Sequence, residues 1–136
     1  MPRELATRPQ DVPDVFADRF NTGDLAGVLE VYEPDALFAP SPGTVLRDTA
    51  LRSAIEEFLA LGLPITVTTR HALAHEDIAL LIVDWSIRGT GPGGEPVDIT
   101  GTATDVARRG EDGRWRYVID NPFGTAESAP VPGRRE

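Results

Sequence analysis

The chain has 136 residues, 40% apolar and 26% charged, with 13 basic against 22 acidic side chains and a net charge of −9. That is one domain with enough apolar material for a core unaided by metal or disulfide, and its charge makes nucleic acid and anionic membrane poor partners. Cysteine is absent and every cation is arginine, which excludes thiol nucleophiles, cysteine-held zinc, Schiff-base lysines and the phosphate-loop lysine.

The opening MPRELATRPQ carries no apolar signal core, and no apolar run of about 18 residues occurs, so a cytoplasmic chain is expected. Residues 1–8 are polar and expected to be loose. From Pro9 to Phe20, Val12, Val15, Phe16 and Phe20 recur at helical spacing, and Pro9 suits a first turn. Asn21-Thr22-Gly23 stops that helix and Asp24 is placed to cap a second, with the stripe Leu25, Val28, Leu29 and Tyr32 ended by Pro34. Asp48 is placed to cap a third helix carrying Leu51, Ala54, Ile55, Phe58 and Leu59, closed by Gly62. After Pro64 the pattern becomes β, with strands expected at 65–73, 77–89, 95–108 and 114–121 joined by short turns. Three N-terminal helices followed by a curved antiparallel meander make an α+β domain over residues 9–123, with 124–136 a loose tail.

Several motifs have plain readings. Gly89-Thr90-Gly91-Pro92-Gly93-Gly94 matches the dinucleotide fingerprint by letter, but it joins two strands and no helix follows to receive a pyrophosphate, so it reads as a hairpin loop. His71 and His75 are four apart in a strand–turn–strand segment, where that spacing does not build a metal site. No metal or cofactor is expected. The serines stand in no nucleophile elbow. The carboxylates carry the interest: Asp84, Asp105 and Asp120 lie in or at the end of apolar strands, where a charge is costly unless paired or facing a cavity. A cavity-facing carboxyl would have its pKa raised by desolvation and could donate a proton near neutrality. Pairing with Arg88, Arg108 or Arg116 is the structural alternative.

The segments FNTGDLAGVLEVYEPDALF, TGTATDVARR and DGRWRYVIDNPFG, in this order and spacing, resemble the nuclear transport factor 2-like superfamily. That group includes ketosteroid isomerase, SnoaL-like cyclases and limonene epoxide hydrolase, and the last two segments are most similar to its SgcJ/EcaC-type subgroup. The resemblance covers about residues 10–123. It implies a cone-shaped, cystatin-like roll that encloses an apolar pocket, and dimers formed through the outer sheet face.

Alignment with ketosteroid isomerase places Asp105 at the protonated-acid position. The tyrosine and base positions fall on Phe16 and Pro40, which can supply neither group. Alignment with limonene epoxide hydrolase makes Asp84 and Asp120 its pair of aspartates, with Ile82 where the bridging arginine belongs. Strict alternation then points Asp84 and Asp120 into the cone and Trp85 and Trp115 outward, onto a homodimer face. Phe16, Phe20, Tyr32, Phe38 and Phe58 are expected to line the pocket, with His71 a proton carrier and Asn121 an amide donor at the rim. The resulting expectation is acid–base chemistry, by Asp105 or by Asp84 with Asp120, on an apolar polyketide- or terpenoid-like molecule. A protein that binds such a molecule without transforming it is the alternative.

Overall fold

The computed structural model describes residues 3–126. A 3-10 turn at Pro9–Asp11 leads into α1 (Val12–Asn21). This helix ends where Gly23 adopts a φ of 73°, a conformation that costs glycine little, and its N–H bonds back to the Phe20 carbonyl at 3.0 Å. Asp24 then caps α2 (Leu25–Leu29), its Oδ1 accepting from the Gly27 N–H at 3.0 Å. At α3 (Asp48–Ala60) the expected cap differs. Asp48 is the first helical residue, Arg47 holds the cap position, and no side chain caps that end.

The sequence reading missed β1 (Tyr32–Ser41) and β2 (Thr44–Leu46). Tyr32 opens a strand and does not close the stripe of α2. The cause is the pair Pro34 and Pro40, which argue against a strand by removing ladder donors. Both fall inside irregularities of register. β1 slips against its neighbour between Tyr32 and Leu37, and against β2 between Phe38 and Ser41, so neither proline is asked to pair regularly.

The expected meander is present as β3 (Ile65–His75), β4 (Ile78–Thr90), β5 (Pro96–Arg109) and β6 (Trp115–Asp120). The six strands run in the order β2-β1-β6-β5-β4-β3. The sheet is mixed, because β1 lies parallel to β6. The glycine-rich segment is the β4–β5 hairpin loop, closed by the Gly91 N–H on the Glu95 carbonyl at 2.7 Å.

Helices α1 and α3 pack against the concave face. On β4 the buried residues alternate as Ala79, Leu81, Val83, Trp85 and Ile87, and Leu81 has no exposed surface. Arg19 is also buried. Its guanidinium ties α1 to the Gly27 carbonyl at 2.8 Å, to Glu30 at 3.0 Å and to the Arg3 carbonyl at 3.0 Å. The N-terminal segment is therefore docked where looseness was expected: Ala6 is buried and bridges to Trp115. Beyond Ala126, the tail lies outside the described residues. No helix among the described residues is long and apolar enough to cross a membrane.

Candidate functional site

Between the helices and the concave sheet lies a cavity of about 60 Å³. Phe16 and Phe20 from α1, Phe38 from β1, Phe58 from α3 and Val83 and Trp85 from β4 line it. Its wall is overwhelmingly apolar, and among the described residues its only titratable lining groups are Asp105, Tyr117 and Asp120. Gly101, opposite Trp85 on β5, leaves room for the Trp85 indole N–H to reach the Pro122 carbonyl at 2.7 Å.

Asp105 faces inward because it shares the buried parity of Ala103 and Ala107. Asp120 closes β6 and is equally enclosed, at 8% exposure. The two carboxyls hydrogen-bond to one another. The Asn121 backbone N–H donates to Asp105 Oδ1 at 2.8 Å, and the Tyr32 hydroxyl donates to Asp120 Oδ2 at 2.5 Å. Among the described residues no cation in the cavity lining compensates them.

Burial raises the pKa of Asp105 well above the carboxylate range, and the neighbouring Asp120 charge pushes it further. Burial also lifts Asp120, to about 6, against the hydrogen bonds from Tyr32 and Asp105 that favour its ionised form. Burial of two adjacent carboxyls favours a proton shared between them. Asp105 is the acid and gives its hydrogen bond to Asp120, the base, and the two titrate as a unit.

Asp84 does not join them. It lies on the outer face of β4, where its carboxylate accepts from Arg70 at 2.6 and 3.1 Å and from the Thr102 hydroxyl at 2.8 Å. Those bonds, Thr102 foremost, hold its pKa below the usual value. The facing of both tryptophans is likewise reversed. Trp85 lines the cavity, and Trp115 is 3% exposed within the core.

On β4 the sequence parity was simply inverted. On β6 a bulge is responsible: Val106 pairs with Ile119 while the adjacent Ala107 pairs with Tyr117, so β6 carries an extra residue at Val118. That residue lets Trp115, Tyr117 and Asp120 all turn inward, which strict alternation forbids.

Phe16, Phe20, Phe38 and Phe58 line the cavity. Tyr32 stands behind Asp120 and does not reach the lining. His71 is exposed on β3 beside the outward Ile82, far from a role at the dyad. The Asn121 side chain donates to Thr104 at 2.9 Å and to the Gly124 carbonyl at 3.1 Å, so its contribution is the backbone N–H held on Asp105 and not a rim amide. Tyr117 is the lining residue that the sequence reading missed. Its signal was the period-two spacing from Trp115, a residue expected on the outer face and found inside. Among the described residues no cluster of three histidine or acidic side chains converges as a metal site.

A curved mixed sheet wrapped on three helices, with an apolar cavity and buried acids, defines a cone of the nuclear transport factor 2-like class. The family model of the SnoaL-like domain matches residues 14–118, and the chain belongs to that family. No curated protein matches it. Among solved structures it is similar to a conserved protein from Planctomyces limnophilus, with TM-score 0.76 and 18% identity over 90% of this chain and 94% of that one. It is similar to a ketosteroid isomerase-like protein from Erwinia carotovora atroseptica, with TM-score 0.72 and 17% identity over 93% and 99%. A third neighbour is the epoxide hydrolase/cyclase-like enzyme SalBIII, described in pyran ring formation in the polyether salinomycin. There the TM-score is 0.62 and the identity 15%, over 90% and 95% of the two chains. At these identities the likeness is one of fold.

Proposed function

We propose that the cone binds a largely apolar, polyketide- or terpenoid-like molecule carrying an oxygen function and moves a proton on it with the Asp105–Asp120 pair. The observation that carries this reading is two adjacent buried carboxyls, without a cation, opening onto an otherwise apolar cavity. A neutral acid beside a base of pKa about 6 suits general acid–base catalysis near pH 7. Isomerisation, cyclisation and epoxide opening can each be driven by such a pair. The neighbours described as ketosteroid isomerase-like and epoxide hydrolase/cyclase-like support the same class of chemistry. The cavity is narrow, so it admits a compact ring or the end of a longer molecule unless the phenylalanines move aside.

Phe16 and Pro40, standing where the isomerase pattern needs a hydroxyl and a base, favour a second reading: binding without chemistry. Native mass spectrometry of wild type and Asp105→Asn, each incubated with an extract of the producing organism, separates the two. A compound held by the variant but converted by the wild type is expected. A compound retained unchanged by both establishes the binder.

We also propose that the outer sheet face pairs two copies of the chain. Leu73, Ile78 and Leu80 are 62%, 44% and 40% exposed there, beside the outward Ile82. The two tryptophans, being internal, have no part in it.

A further inference from the structure

Tyr117 is the buried polar group that the acid–base pair leaves unused. It is 4% exposed and lines the cavity, and its hydroxyl makes no hydrogen bond among the described residues. The other polar groups at the cavity are engaged. Asp105 accepts from Asn121 and bonds Asp120, Asp120 accepts from Tyr32, and the Trp85 indole N–H is spent on Pro122.

The hydroxyl is not an enclosed atom left without a partner, a place that Arg19 Nε holds among the described residues; it belongs to the cavity wall. A ligand that brings an acceptor into the cavity would engage it. Burial, followed by the charges of Asp105 and Asp120, raises the phenol's pKa, so it stays a neutral donor throughout the physiological range. Its ring is fixed by packing, with Phe16 edge-on at 6.1 Å and Tyr32 at 5.5 Å. Phe16 itself brings no donor.

We propose that Tyr117 donates the hydrogen bond that selects and orients the ligand, so that the cavity takes an uncharged molecule whose carbonyl or ether oxygen meets the Tyr117 hydroxyl beside the carboxyl pair. This rests on the ligand-binding reading above and adds its specificity. A hydrocarbon leaves the O–H unpaired. A carboxylate meets the Asp120 charge with no cation in the lining to offset it. An ammonium suits Asp120 but offers Tyr117 no acceptor.

The test uses 2-cyclohexenone and its oxygen-free counterpart cyclohexene, with wild type and Tyr117→Phe. Trp85, in the cavity wall, reports binding by fluorescence, and the infrared carbonyl band of the bound ketone reports hydrogen bonding. Because the Tyr117 hydroxyl holds nothing within the described chain, its removal leaves the fold standing, which thermal unfolding checks. The ketone is expected to bind wild type with its carbonyl band shifted to lower frequency. Tyr117→Phe is expected to lose part of that shift and to bind about tenfold more weakly, while cyclohexene binds both proteins alike. An unchanged band and unchanged affinity in Tyr117→Phe overturn the assignment of Tyr117 alone. Failure of the ketone to bind wild type overturns this inference, and failure of both probes overturns with it the reading of the cavity as a ligand site.

Discussion

At the scale of single residues, the carboxyl pair dictates how stability responds to pH. Asp120 rises on folding from the ordinary value of 3.8 to about 6, and Asp105 is raised as well. The native state therefore holds their protons more tightly than the unfolded chain. Their contribution to stability is full below pH 4 and is lost as the pH climbs, for Asp120 through about 6. The Asp120 difference corresponds to on the order of 3 kcal/mol. Urea denaturation from pH 4 to 7 should show the wild type losing stability relative to Asp120→Asn; parallel curves would contradict the assignment. Tyr32→Phe removes a donor that favours the ionised carboxylate, so the Asp120 midpoint should move upward, as carbon NMR of labelled aspartate can read. At acid pH Asp112 acts in the opposite sense. Its pKa is lowered to about 2, chiefly by the hydrogen bond from Arg116, and that stabilisation is present above pH 4 and lost as the pH falls through 2.

At the scale of elements, the cavity depends on where strands depart from regularity. The bulge at Val118 turns Asp120 inward beside Asp105, and the irregular stretch around Pro34 brings Tyr32 against β6. Gly101 is the other such point. A Cβ there would stand 2.8 Å from the Pro122 carbonyl oxygen and 2.9 Å from the Trp85 indole nitrogen. Both are held by the hydrogen bond between them, and one is backbone, so neither yields cheaply. Gly101→Ala should cost about 2 kcal/mol by overpacking and loss of that bond, with a change in Trp85 emission. Wild-type stability in the variant would show that this corner is softer than its packing implies. These features explain what the sequence concealed. Helices α1 and α2, the Asp24 cap and the four long strands follow from local periodicity and turn chemistry. β1 is invisible locally because its prolines argue against a strand that only β6 and β2 make worthwhile.

At the scale of the whole molecule, the outer face carries the expectation of a dimer. On the same face, Arg70–Asp84 borders the patch near Ile82 and Arg88–Asp98 neutralises charge at the far end of β4. Pairing two copies would cover an apolar patch that a monomer leaves in water. Sedimentation velocity should show a dimer for wild type and a monomer for Leu80→Arg. A monomeric wild type, or a dimeric Leu80→Arg, would remove this face as the interface.

What the sequence determined by itself was whatever a short window of side chains decides. That includes the end of α1, the Asp24 cap of α2, the four strands after Pro64, the reading of the glycine-rich segment as a hairpin, and the presence of costly carboxylates in apolar strands. The four phenylalanines of the lining were legible for the same reason, since bulky apolar groups at regular spacing must be buried somewhere, whereas Trp85, Tyr117 and the exclusion of Tyr32 were not. Only the tertiary structure decided which carboxylates meet. Asp84 and Asp105 look alike in sequence, each an acid within a β-branched strand. One extra residue in β6 and the parallel pairing of β1 settle that Asp105 joins Asp120 and Tyr32, while Asp84 pairs with Arg70 outside. A strand's side chains change face with every single-residue step, and register is set by partners far along the chain.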